Sequence, residues 1–263
     1  MRLPLLLAAT LAVFLVACGG GGDENKPSPA ATSAAKKAAA TAAPASATAT
    51  ATAAATVEDR AATEALLKAA SLQLEDLPSG FTLDDERFTT NEEAAAEQEG
   101  NPRAATLEDL NGFGRILGYE ASYSQDVSAT GSALSFQMTT TVYRDSKGAG
   151  EHFRFVREQT SDPEFIQAFE DSLAGSGVEV KDATISPMSF ADVGDDHLAL
   201  ELKVTAHSPD LDADFDVVSQ LVGVRRDRGI GAITVTAVGS PESVGELEDL
   251  ARTLDERLKD ALE

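Results

Sequence analysis

Tryptophan is missing from the 263 residues, tyrosine occurs three times, and aromatics make up only 5% of the chain. That scarcity excludes the exposed stacking platforms on which proteins hold bases or sugars. Cysteine occurs once, as Cys18, so the chain has no intramolecular disulfide and no thiolate metal site. Positive charge is scarce as well: 21 Lys and Arg stand against 44 Asp and Glu, a formal charge of -23. Such a field repels phosphate backbones and excludes nucleic acid as a partner. It either keeps a secreted domain soluble or favours a cationic ligand. Nucleophile motifs are lacking: neither G-x-S-x-G nor H-E-x-x-H occurs, and the S-x-x-K match from Ser33 to Lys36 lies in a low-complexity stretch. The runs "GGGG" and "GIG" lack the strand-to-helix context and the lysine of a phosphate loop. No enzyme and no cofactor is expected, and a hydrolase assembled from distant residues is a remote reading.

What is present begins with Arg2, the apolar run Leu3 to Val16, and "LVAC" ending at Cys18. The run is shorter than the roughly twenty residues that cross a bilayer core, which suits a cleaved signal better than a retained helix. The segment resembles the signal and lipobox of bacterial lipoproteins. The resemblance implies cleavage after residue 17, lipidation of Cys18, and a protein held at the extracytoplasmic face of the cell membrane through that lipid. Stable anchoring takes more than one acyl chain, as a diacylglyceryl group supplies.

Residues 18–56 then reduce largely to Gly, Ala, Thr, Ser and Pro with no periodic apolar face, and are expected to form a disordered tether. About thirty such residues have a root-mean-square span of roughly 30 Å. Ser and Thr beside Pro also match the composition of O-glycosylated stretches.

A single domain is expected over 57–263. "VEDRAATEALLKAASLQL" predicts a helix with Ala61, Ala65, Leu66, Ala69 and Leu72 on one stripe, and "FTLDDERFTT" a strand with Phe81 and Leu83 on one face. The acidic stretch from Asn91 to Gly114 reads as a mobile insertion with two short helices. Alternation predicts strands with Leu117, Tyr119, Ala121 and Tyr123 inward, and Leu134, Phe136, Met138 and Val142 inward. Helices follow in "DSKGAGEHFRFVREQ", on Ala149, Phe153 and Val156, and in "DPEFIQAFEDSLAG", capped by Asp162 with Phe165, Ile166, Phe169 and Leu173 as its stripe. Leu198 to Ala206 alternate without a fault, and "FDVVSQLVGVRRDRGIGAITVTAV" reads as a central hairpin turning at Arg226 to Gly229. A last helix runs from a Ser240 cap and Pro241 through Val244, Leu247, Leu250, Ala251, Leu254, Leu258 and Leu262. The class is α+β: a twisted, mainly antiparallel sheet of six to seven strands packed against helices.

"LPSGFTL", "LGYEASYS", "FADVGDDHLAL" and the late hairpin with its terminal helix are similar to PsbP-like lipoproteins and extracytoplasmic sensor-type domains. The similarity implies a binding or assembly module without catalytic residues.

Three constellations are candidates for chemistry. Asp210, Asp212, Asp214 and Asp216 alternate, so an extended chain sets four carboxylates on one face about 7 Å apart. They form either a cation site, helped by Asp195 and Asp196, or a solvated strand edge whose like charges block pairing. The EF-hand template fails, with Phe215 at the glycine position. Arg225, Arg226 and Arg228 form a basic hairpin tip, either a docking point for an anionic partner group or a solvated turn. His152, His197 and His207 are expected at the surface, and no metal is expected on them. Two functions stay open: a non-catalytic module for an envelope protein partner, or a carrier or sensor of an apolar small molecule held by Phe153, Phe155, Phe165 and Phe169.

Overall fold

The computed structural model describes residues 57–98, 101, 103–127, 132–161, 179–209, 212–238 and 247–263. Cys18, the tether, the helix expected over 162–175 and the caps Ser240 and Pro241 lie outside the described residues. Among the described residues five α-helices accompany seven strands: α1 Val57–Ala69, β1 Thr82–Thr89, α2 Asn91–Glu97, α3 Leu107–Gly112, β2 Arg115–Val127, β3 Ser132–Tyr143, α4 Ser146–Thr160, β4 Glu179–Pro187, β5 Asp196–Ser208, β6 Ala213–Arg226, β7 Gly229–Val238 and α5 Leu247–Leu262. The strands form one antiparallel sheet in the order β1-β2-β3-β7-β6-β5-β4. The class expected from the sequence is therefore observed, with β7 at the centre.

The sheet is apolar along one diagonal and polar along the other. On the first face Leu117, Tyr119, Ala121 and Tyr123 of β2 join Phe136 and Met138 of β3, Ile233 and Val235 of β7, and Val222 and Val224 of β6. Helix α5 covers them with Leu247, Leu250, Ala251, Leu254 and Leu258, joined by Leu67 of α1 and Ala70 just after it. Farther along the same face, on β4 and β5, the residues turn polar: Thr184, Lys203, Thr205 and His207. On the second face the pattern reverses. Leu200, Leu202, Val204 and Ala206 of β5 cluster there with Val217 and Leu221 of β6, whereas β1 to β3 present Arg87, Glu120 and Thr139.

Both sheet edges are protected. The register shifts between Leu83 and Asp85 in β1 and between Val180 and Asp182 in β4. Each bulge sits among exposed charges, Asp84, Asp85 and Glu86 on one edge and Lys181 and Asp182 on the other. Bulges and charges of this kind oppose strand addition by another chain.

Two expectations are corrected. Of the expected α1 stripe, Leu72 is buried and Leu66 packs on the core, but Ala61, Ala65 and Ala69 are exposed; Leu67, Ala70 and Ser71 are buried instead, and the Ser71 hydroxyl donates to Thr140 Oγ1 at 2.8 Å. Leu83 stands opposite the inward Tyr123, on the face expected for it, yet is exposed at the sheet edge, while Phe81 is buried. The acidic stretch after β1 is built in rather than loose: α2 and α3 each start with a capping box, on Thr90 with Glu93 and on Thr106 with Asp109. Their Ala94, Ala105 and Leu110 form a small core of their own, against which Phe113 and Phe155 pack. Gly148 sets the approach of α4 to that lobe, since a Cβ there would stand 1.9 Å from the Phe113 carbonyl oxygen.

Candidate functional site: a buried polar seam

One group of buried polar residues, Thr89, Asn91, Arg115 and His152, gathers around α2, α3 and α4. Arg115, at the start of β2, is 3% exposed. Its Nη1 donates to the Thr89 carbonyl at 3.1 Å and to Asn91 Oδ1 at 2.9 Å, and its Nη2 donates to Thr89 Oγ1 at 2.9 Å. Asn91 Nδ2 returns a bond to the Arg115 carbonyl at 3.0 Å and another to Asn111 Oδ1 at 2.8 Å. The guanidinium fits because residue 118 is glycine: a Cβ there would lie 2.3 Å from Arg115 Nη2.

Beside it, Arg87 Nη1 and Nη2 reach the two Glu97 oxygens at 2.5 and 3.1 Å, while its Nε and Nη2 reach Glu120 Oε2 at 2.9 and 2.7 Å. One cation thus serves two carboxylates. Burial pushes the Glu120 carboxyl above its ordinary value, against the opposing pull of Arg87.

At the other end, His152 of α4 is 1% exposed and bonds through Nδ1 to the Tyr143 hydroxyl. Its ring stacks on Phe113 at a centroid distance of 5.0 Å and lies 6.3 Å from Phe155. Burial first, and then the Arg115 charge, push His152 down to about 4, so it is neutral at neutral pH. The expected surface position is therefore corrected for His152. The helical stripe of Ala149 and Phe153 carries it inward.

The other candidates are separate. Asp210 lies outside the described residues, Asp212 sits in the β5–β6 turn with φ 46°, and Asp214 and Asp216 lie on β6. Lys181 Nζ contacts both Asp214 oxygens at 2.6 and 2.7 Å, His207 lies 2.8 Å from Asp214, and Thr205 donates to Asp216 at 2.8 Å. Asp195 precedes β5 and Asp196 opens it, a strand's length from Asp214. Among the described residues, no three His, Cys, Asp or Glu side chains are grouped to hold a metal.

At the hairpin tip Arg226 grips Asp255 through Nε at 2.8 Å and Nη2 at 2.5 Å. Arg225 reaches Asp195 at 3.4 Å, and Arg228 the Tyr143 carbonyl at 3.4 Å. The three arginines tie the tip to neighbouring elements.

Of the phenylalanines named for an apolar ligand, Phe153 packs where a Cβ on Gly223 would stand 3.3 Å from its ring, and Phe155 packs on Phe113 at 5.8 Å. Phe165 and Phe169 lie outside the described residues.

No protein-family model and no curated protein matches the chain. Among solved structures, the extracellular domain of PknH from Mycobacterium tuberculosis is similar at 10% identity, over 76% of this chain and 96% of its own, with a TM-score of 0.37. An uncharacterized protein from Mycobacterium smegmatis is similar at 11% identity over 74% and 96%, with a TM-score of 0.36. LpqN of M. tuberculosis, described as involved in cell envelope biogenesis, is similar at 12% over 68% and 83%, with a TM-score of 0.26. With every TM-score below 0.5, these likenesses carry neither a site nor an activity to this chain. No helix among the described residues is long and apolar enough to cross a membrane.

Proposed function

We propose that the chain is an extracytoplasmic lipoprotein, attached to the membrane through lipid on Cys18, whose domain from residue 57 onward is a non-catalytic binding or assembly module for an envelope protein. The observation that carries this reading is the coincidence of the sole cysteine with the lipobox, followed by a low-complexity tether that leads into a two-faced α+β domain. The roughly 30 Å span of the tether lets the domain meet a partner clear of the headgroups. Because both edges oppose strand pairing, docking through a face is favoured, and among the described residues the polar half-face of β4 to β6 carries exposed side chains. There Lys203, Asp214 and Lys181 keep 60%, 53% and 44% of their side-chain surface, beside the half-buried Thr205 and Gln220.

The two phenylalanines described are occupied by packing, so no observation favours the apolar carrier over this reading. A photo-cross-linking residue placed at Lys203 in the full chain in cells is expected to give a discrete adduct with one envelope protein. The same residue at Arg154, exposed on α4 behind the sheet, is expected to give none. Equal labelling from both positions, or no adduct from Lys203, Thr184 or Asp216, would contradict the proposed face.

A further inference from the structure

Of the three histidines only His152 is buried, and its ring is answered on one side alone. Nδ1 bonds to the Tyr143 hydroxyl, while Nε2 is buried with no hydrogen-bond partner. Whichever tautomer the neutral ring adopts, a second proton makes both nitrogens donors, and the Nε2–H then carries charge with no acceptor. A buried charge left unanswered in this way is costly. The charges acting on the ring come from two other elements: Arg115 of β2 repels the cation, and Asp109 of α3 attracts it more weakly. Other charged groups on the elements around the ring are engaged elsewhere. Arg228 of the β6–β7 turn reaches the Tyr143 carbonyl at 3.4 Å, and Lys147 and Glu151 of α4 pair with each other at 3.4 Å. On α2, Glu97 is held by Arg87 and Glu93 by the amide of Thr90.

The ring stands where two differently held parts meet. Helices α2 and α3 pack mainly on each other and on β2, and they rest on their own small core of Ala94, Ala105 and Leu110. Helix α4 is fixed to the sheet instead: it packs on β3, β6 and β7, and its Phe153 ring lies against Gly223. Between them Phe113, at the end of α3, lies flat on His152 with 5.0 Å between centroids and 9° between planes, and also packs on Phe155. Elements with few apolar contacts open locally at low free energy. Once the lobe parts from α4, water can answer the Nε2–H, so a proton on the ring weighs against the closed contact only.

We propose that His152 is an acid-released latch, whose protonation parts the α2–α3 lobe from α4 while the seven-stranded sheet stays folded. Opening uncovers Phe113 and Phe155 together with the small core beneath them. The large core under α5 contains none of these residues, so the sheet keeps its packing. The latch lies on the face of the sheet opposite Lys203, so it stands or falls separately from the protein-docking face.

The test is amide hydrogen exchange of the full chain read by mass spectrometry, corrected for the intrinsic effect of pH, in peptides covering α2 and α3 and in a reference peptide from β7. The α2 and α3 peptides should be less protected than β7 at every pH, as a local opening requires. Their protection should fall about twentyfold from pH 7 to pH 5, the ratio set by ring values of 6.5 in the open lobe and about 4 in the closed one. His152→Gln should lose most of that fall. Protection equal to that of β7, no change with pH, or the same fall in His152→Gln would overturn the proposal. Should His152→Gln fail to fold, the native chain still decides. Lobe opening should then rise by up to about tenfold per pH unit below 6.5 and level off where the ring itself titrates, read from exchange of its C2 hydrogen; any other course overturns the latch.

Discussion

Gly148→Ala is expected to destabilise the domain by about 3 kcal/mol, at the upper end of what overpacking usually costs. Gly148 lies in the first turn of α4, where Asp145 caps the helix by accepting from its backbone amide at 2.8 Å. An added methyl would stand 1.9 Å from the Phe113 carbonyl oxygen. That oxygen belongs to the main chain at the end of α3, so it cannot rotate aside as a flexible side chain would; either α4 or the α2–α3 lobe must move. Movement there also disturbs Phe113 against His152, whose rings stack at 5.0 Å. Gly150 supplies the control from the same helix. Its added Cβ would meet nothing within 4 Å, so Gly150→Ala should be neutral or stabilise by about 0.5 to 1 kcal/mol through helix propensity. Urea unfolding of both variants checks the contrast, and equal effects would contradict the described packing of α4.

Acidification should weaken the fold through His152. Its imidazole has an ordinary value of 6.5 and is held down to about 4 in the folded chain. Between these values the unfolded chain binds a proton that the folded chain refuses. Stability is therefore fully present above pH 6.5 and falls as the pH drops towards 4, with a slope approaching about 1.4 kcal/mol per pH unit. The groups facing the ring are Tyr143 from β3, Phe113 at the end of α3, Arg115 from β2, whose charge adds to the effect of burial, and Asp109 from α3, whose charge opposes it. His152→Gln keeps a hydrogen-bonding side chain opposite Tyr143 and does not titrate. Stability measured from pH 7 to 4 should fall less steeply in this variant, carboxylate contributions being common to both proteins. Parallel profiles would show that His152 does not carry the effect.

Much of the sheet was legible in the sequence because burial on one face leaves a period of two. Tyr119, Ala121, Tyr123, Phe136 and Met138 are inward as their alternation predicts, and β6 and β7 are central as their consecutive apolar residues require. The α1 face was misread because its alanines offer little contrast in hydrophobicity, so the periodicity does not select between faces. The seam was missed for another reason. A strand-initial arginine reads as surface, and the shift between Arg115 and Leu117 that turns it inward leaves no mark in composition. Two signals were available nonetheless. Gly118 stands close to Arg115 within a strand, where a glycine often marks a close approach, and His152 falls on the stripe of Ala149 and Phe153 that the sequence itself assigns to the core. Gly148 and Gly150 look alike in sequence, and only the position of Phe113 distinguishes them.

The most direct test of the membrane-held module is the intact mass of the chain extracted from membranes, measured for the native sequence and for Cys18→Ala. The native chain should begin at Cys18 and carry the added mass of a diacylglyceryl group, while Cys18→Ala should appear in the soluble fraction or retain residues 1–17. A cleaved chain without lipid that stays with the membrane equally in both proteins would contradict the account.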